Sequence, residues 1–276
     1  MNPYRIQGPA IISFSGGRTS GYMLYHIIDA HDGRLPDNVV VTFANTGKER
    51  NETLDFILEC QNHWGVAINW LEYRISDKRK QDYAIVDYES ASRSGEPYDD
   101  LIRLKGYLPT LMNRYCTKQL KIAVMRQFGR EVLKYKHWIN AVGLRYDEAN
   151  RVSKMLVANE KKRDPWTAVA PLYDAKVTEE HIHEFWREQP FDLQLESHEG
   201  NCDLCFLKGA NKISRILRKN PELAEWWVDK EEETHRRFRK DRPKYKHILE
   251  AVLSQQEFNF GIFDDSTTCD TNGCTD

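Results

Sequence analysis

The chain has little of several things that would place it in a familiar class. No apolar run approaches the roughly 20 residues that a membrane helix needs, and residues 1–12 lack the charged-then-apolar layout of a secretory leader. Neither charge dominates: 40 Lys and Arg stand against 42 Asp and Glu, a net of -2, so a global polyanion-binding signature is absent. Six cysteines in 276 residues are too few for a disulfide scaffold. These absences predict a cytoplasmic protein with no membrane partner, whose thiols serve metal or redox chemistry.

What is present is a run of short apolar stretches, each closed by a polar turn. Ala10-Ile-Ile-Ser-Phe14 reads as a buried strand, and Tyr22, Met23, Tyr25, His26, Ile27 and Ile28 follow at helical spacing. Between them lies Ser15-Gly16-Gly17-Arg18-Thr19-Ser20. A strand that turns through Gly-Gly into a helix presents unpaired backbone N–H groups at the helix N-terminus, where the dipole favours an anion. An ordinary βα turn would look the same. The stretch Val39–Ala44 is a second strand, ending in Asn45-Thr46-Gly47 ahead of a helix through Leu54, Phe56, Ile57 and Leu58. Residues 67–73 form a weaker third. A βαβα opening implies a parallel sheet with ligands at the carboxyl ends of its strands.

From Arg74 to Met112 the pattern is irregular, and such a long polar insertion reads as a lid. Trp138–Val142 is a further strand, ending in Gly143-Leu144-Arg145-Tyr146-Asp147-Glu148, the third polar turn in the same topological position. Val169–Leu172 reads as another strand or edge segment, and Thr178 as the cap of a helix over 179–186. His181 and His183 diverge on that helix and read as surface residues. Residues 208–250 hold 13 Lys and Arg against 8 Asp and Glu, a solvated helical face or a local site for a nucleic-acid substrate. Residues 1–210 are read as the main domain, 211–260 as a basic helical extension, and 261–276 as a flexible acidic tail carrying Cys269 and Cys274.

Cys202 and Cys205 form a C-x-x-C flanked by glycines, and Cys116 precedes a helix. Thiolates suit soft metals and iron–sulfur clusters, and C-x-x-C brings two sulfurs to one corner of a metal. An iron–sulfur cluster, structural zinc and free or redox thiols all remain open on this spacing. Cys60, among apolar residues, reads as core.

In order, "SFSGGRTS", "FANTGKERNETLDFI", "RYCTKQLKI", "GLRYDEANR" and "APLYDAKVTEEHIHEFW" resemble the blocks of the phosphoadenosine phosphosulfate (PAPS) reductase branch of the PP-loop, adenine nucleotide alpha hydrolase-like superfamily, over roughly residues 10–210. The resemblance implies a doubly wound, mostly parallel α/β sheet of Rossmann type with a helical C-terminal extension. It implies ATP or PAPS at Ser15, Gly16, Gly17, Arg18, Thr19, Ser20, Asn45, Thr46, Gly47, Gly143, Arg145 and Glu148, with Mg²⁺ as a candidate companion. Arg18, Lys118 and Arg145 are the candidate catalytic residues, with Lys121 and Arg151 as further anion contacts. Many relatives have Gly-Gly-Lys-Asp-Ser in the loop; Arg18 keeps a bidentate phosphate donor, while Thr19 replaces the acid.

The cluster-bearing reductases of this family carry Cys-Cys where this chain has Cys116-Thr117. Three ligands, Cys116, Cys202 and Cys205, instead resemble cluster-dependent tRNA thiolation enzymes, implying a [4Fe–4S] cluster with zinc as the alternative. The thioredoxin-dependent reductases close with a Glu-Cys-Gly-Leu-His-like motif that this tail lacks. Three functions follow: a PP-loop ATP pyrophosphatase acting in sulfur transfer, a PAPS or adenylyl-sulfate reductase, or a catalytically idle nucleotide- or nucleic-acid-binding protein. A homo-oligomer is expected.

Overall fold

In a computed structural model, residues 2–200 and 202–254 are described. The β-branched runs become strands β1 (Ala10–Ser13), β2 (Val39–Asn45), β3 (Ile68–Arg74), β4 (Asp82–Val86), β5 (Trp138–Val142) and β6 (Trp166–Val169). They pair in one sheet of order β4-β3-β2-β1-β5-β6, parallel throughout except for the antiparallel edge pair β3–β4. Between them and after them come α1 (Arg18–Ala30), α2 (Asn51–Trp64), α3 (Glu96–Lys105), α4 (Val124–Glu131), α5 (Ala149–Glu160), α6 (Pro171–Asp174), α7 (Glu179–Glu188), α8 (Ala210–Lys219), α9 (Ala224–Glu233) and α10 (Tyr245–Leu253).

Side-chain alternation along the strands builds a core on each face of the sheet. Ile12, Val41, Phe43 and Trp70 pack with Met23 and Ile27 of α1, Leu54 and Ile57 of α2, and Trp186 of α7. Leu71 and Tyr73, offset by one residue, pack with Leu101 of α3, Phe128 of α4, Ile213 and Ile216 of α8, Trp227 of α9 and Ile248 of α10. The doubly wound α/β expectation therefore holds. The helices after residue 210 share the second core with the sheet and are not a detached appendage. The tail from residue 255, with Cys269 and Cys274, lies outside the described residues.

Two expectations need correction. The 74–112 insertion is not irregular: it supplies β4 and α3. Gly95 and Pro97 interrupt the pattern in sequence, but with Gly106 they form the start and stop of α3. Gly95 caps it with φ +99°, Pro97 sits in its first turn, and Gly106 closes it with φ +70°. The expected strand at Val169–Leu172 is shifted, with β6 ending at Val169 and Pro171 opening α6. Proline has no N–H to give a ladder but suits a first helical turn.

Candidate active site

The strand order reverses between β1 and β5, where chain connections leave to opposite sides and a crevice opens beyond the carboxyl ends of the strands. The Ser15–Ser20 turn lies in it. Gly16 has φ +81°, and a Cβ there would come within 2.7 Å of Thr53 Cγ2 and 2.8 Å of Ile57 Cδ1, so only glycine fits. Gly17 is the N-cap of α1 and no side chain caps the helix. Ser20 Oγ accepts from Ser15 N at 3.2 Å and donates to Gly17 O at 3.0 Å, holding the turn in shape. A Cβ on Gly143 would stand 3.3 Å from Ser20 Cα, so the end of β5 closes against the same loop.

The resulting cleft of about 540 Å³ is lined by Ser15, Gly17, Thr19, Arg145, Glu179 and His183, among others. Arg145 is its fixed cation, only 8 % exposed. Its Nη1 donates to Thr19 Oγ1 at 3.3 Å and its Nε to Asp147 at 3.0 Å, with Glu179 3.8 Å from Nη2. Burial works against its charge, but Glu148, Asp147 and Glu179 outweigh that and raise its pKa. Glu148 accepts from Arg145 N at 2.9 Å and pairs with Arg151, so both brace the turn from beneath.

A second cavity opens at the carboxyl end of β2. Cys116, Cys202 and Cys205 all line it, with walls of Leu120, Phe206 and Trp227. None of the three is in a disulfide. Cys116 immediately precedes a seven-residue π-helix, Thr117–Ala123, a wound-out geometry common at functional sites. The Cys202 loop is tied to the turn after β2. Glu49 and Cys202 form an isolated bridge, Asp203 N donates to Lys48 O at 2.8 Å, and Lys48 Nζ pairs with Asp203 at 3.0 Å. Lys208 Nζ donates to Gly200 O at 2.5 Å and Cys202 O at 3.0 Å.

Burial pushes the Cys116 and Cys202 thiols up; Glu49 raises Cys202 further, and Lys121 opposes it. Such thiols stay protonated unless a cation shares the pocket. Among the described residues no three His, Cys, Asp or Glu side chains are grouped so as to hold a metal ion.

Residues 9–194 match the family model for the phosphoadenosine phosphosulfate reductase domain. The chain belongs to this family. Two curated relatives are uncharacterized proteins. The nin region protein ORF290 of Escherichia phage lambda is 28 % identical over 218 residues, 77 % of this chain and 71 % of the relative. MJ0066 of Methanocaldococcus jannaschii is 22 % identical over 226 residues, 81 % of this chain and 41 % of that longer protein. Among solved structures, the U34-tRNA thiolase NcsA from Methanococcus maripaludis with its [4Fe-4S] cluster aligns with TM-score 0.43 at 15 % identity, covering 98 % of this chain and 81 % of that one. Cys116 lies inside the PAPS reductase domain match, whereas Cys202 and Cys205 lie beyond its end.

Within this PAPS reductase domain the expected site residues divide. Ser15, Gly17, Arg18, Thr19 and Arg145 line the cleft, with Gly16, Ser20 and Gly143 shaping its wall. Arg18 is used differently from expectation. Its Nε donates to Asp192 Oδ1 and its Nη2 to Asp192 Oδ2, both at 2.7 Å, while Nη1 donates to Leu195 O at 2.9 Å. The guanidinium thus ties the loop to residues 192–195 instead of reaching for a phosphate. Asn45 and Thr46 are likewise committed elsewhere. Asn45 Nδ2 donates to Glu72 at 2.6 Å, its Oδ1 accepts from Gly47 N at 3.1 Å, and Thr46 Oγ1 donates to Glu49 at 2.8 Å. Thr46 also stands 3.5 Å from Cys202 Sγ and lines the thiol pocket.

Lys118 is exposed and lines neither cavity; Lys121 lines the thiol pocket, 3.5 Å from Glu49. Cys60 is fully buried in the core, as expected. The basic count of 208–250 overstates its free charge: Lys208, Arg239 and Arg242 are buried, and Lys230 pairs with Asp99 and Glu233. Sequence reasoning missed Tyr98, Glu179 and His183. Glu179 and His183 become cleft residues only because α7 packs on α1, through Tyr22, Tyr25 and His26 against Phe185. Among the described residues no helix is long and apolar enough to cross a membrane.

Proposed function

We propose that this PAPS reductase family member is an adenine-nucleotide-dependent sulfur-transfer enzyme, in which the cleft binds ATP and the thiol pocket carries a [4Fe–4S] cluster. The observation that carries the reading is the pairing of two unlike cavities at the carboxyl edge of one sheet, one cationic and open, one apolar and thiol-lined. Backbone N–H groups at the start of α1, with Ser15 and Thr19, bind the phosphates. Arg145 stabilises charge as an acceptor oxygen bonds to the α-phosphorus and the bond to the leaving pyrophosphate breaks. The carboxylates around Arg145, buried Glu148 and exposed Asp147 and Glu179, fix it in place before substrate arrives.

The donor set fits the cluster: three soft sulfurs, desolvated walls that disfavour unpaired thiolates, and a buried tyrosine hydroxyl beside Cys116 that makes no hydrogen bond of good geometry. Held by Cys116, Cys202 and Cys205, it would supply an iron centre able to bind sulfur. The family match also supports a second reading, sulfonucleotide reduction, in which the same cleft holds PAPS. Anaerobic protein given each nucleotide separates the two. Pyrophosphate released from ATP in the presence of acceptor supports sulfur transfer; sulfite released from PAPS with a thiol reductant, and no pyrophosphate from ATP, replaces it with reduction.

A further inference from the structure

Tyr98 is a core residue with an unspent polar atom. It is 2 % exposed, and its buried hydroxyl lies beside the Cys116 thiol without making a hydrogen bond of good geometry. Buried hydroxyls are almost always paired, because leaving one unpaired gives up its hydration for nothing. This one is in the cavity that Cys116, Cys202 and Cys205 line.

Its position is tightly determined. A Cβ on Gly47 would meet Pro97 Cδ at 2.9 Å, and one on Gly95 would meet Trp226 Nε1 at 2.5 Å, so the start of α3 is docked between the turn after β2 and α9. The Tyr98 ring packs against Trp226, with centroids 5.1 Å apart, and edge-on to Trp227 at 6.3 Å. The hydroxyl therefore cannot turn out to water. Its phenolic O–H can donate, and it faces the Cys116 thiol inside the cavity that the three cysteines line. From beside Cys116 it favours that thiolate, although burial holds the thiol up on balance.

We propose that Tyr98 is a positioning residue whose hydroxyl donates a hydrogen bond to anionic sulfur in the thiol pocket, a cysteine thiolate or a sulfide of the bound cluster. This rests on the reading that the three thiols hold an iron–sulfur cluster. Hydrogen bonds to cluster sulfurs stabilise the more negative, reduced state and raise the reduction potential. A fixed donor pre-formed in the cluster-free chain is a functional strain, kept at the expense of stability.

Tyr98→Phe keeps the ring and removes only the donor. In cluster-free protein the variant should melt at the wild-type temperature or above, because no hydrogen bond of good geometry is lost. In anaerobically reconstituted protein it should retain iron and acid-labile sulfide, while its reduction potential moves to more negative values and its visible absorbance shifts. A variant that melts lower without the cluster would show that the hydroxyl has a structural partner and overturn the inference. So would an unchanged potential in loaded protein. Wild-type protein that takes up neither iron nor sulfide overturns the cluster reading itself, and this inference with it.

Discussion

The two cavities hold charge in opposite ways. In the cleft between β1 and β5, Arg145 is balanced in advance by Glu148, Asp147 and Glu179, beside helix N–H groups that no side chain caps. In the thiol pocket burial outweighs what opposes it: Cys116 and Cys202 are held up despite Tyr98 beside the first and Lys121 beside the second. On the proposed function, the first is an anion site that exchanges its ligand, and the second is completed by a resident cationic cluster. A site that must release its occupant is complete without it, while a site for a resident group stays incomplete until filled.

That contrast can be broken one side at a time. Arg145→Ala removes the cleft's fixed cation and leaves its carboxylates facing the phosphates. Losing a charge-assisted hydrogen bond of about 1.5–3 kcal/mol corresponds to a roughly ten- to hundredfold weaker ATP Kd, read by calorimetry. Iron content should not change.

A smaller effect comes from acid. His26 lies in α1 behind the loop, stacked among Tyr4, Tyr22 and Phe185 of α7. Burial lowers its pKa below the ordinary 6.5, with Asp29 opposing. The unfolded chain therefore binds the proton more readily, and the contribution of neutral His26 is complete above about pH 6.5 and lost as pH falls from there through the folded pKa. The α1–α7 seam carries Glu179 and His183 into the cleft, so ATP binding should weaken on this decline before any cluster is released. His26→Phe should flatten that part of the thermal-stability profile.

Legibility in the sequence followed the same division. The runs forming β1, β2 and β5 are continuous and apolar, and their polar turns fell where a parallel sheet puts ligands. The cysteines drew attention by type alone. What stayed hidden depended on partners far along the chain. Arg18 looks like a phosphate donor until Asp192 arrives 174 positions later. That Thr46 lines the thiol pocket shows only once the Cys202 loop docks on it. Tyr98 reads as an ordinary tyrosine in a broken stretch, because nothing local marks a hydroxyl that the fold leaves without a hydrogen bond of good geometry. Gly95 and Pro97 at the start of α3 were misread because the same residues end structure in one context and begin it in another.

The claim that the two cavities divide the work is tested most directly by Cys202→Ala, assayed on one anaerobic preparation for iron, acid-labile sulfide and ATP binding beside the wild type. The account predicts about four irons per wild-type chain, their loss in the variant, and an ATP affinity that does not change. Wild-type protein without iron, or a variant that loses its nucleotide together with its metal, would contradict it.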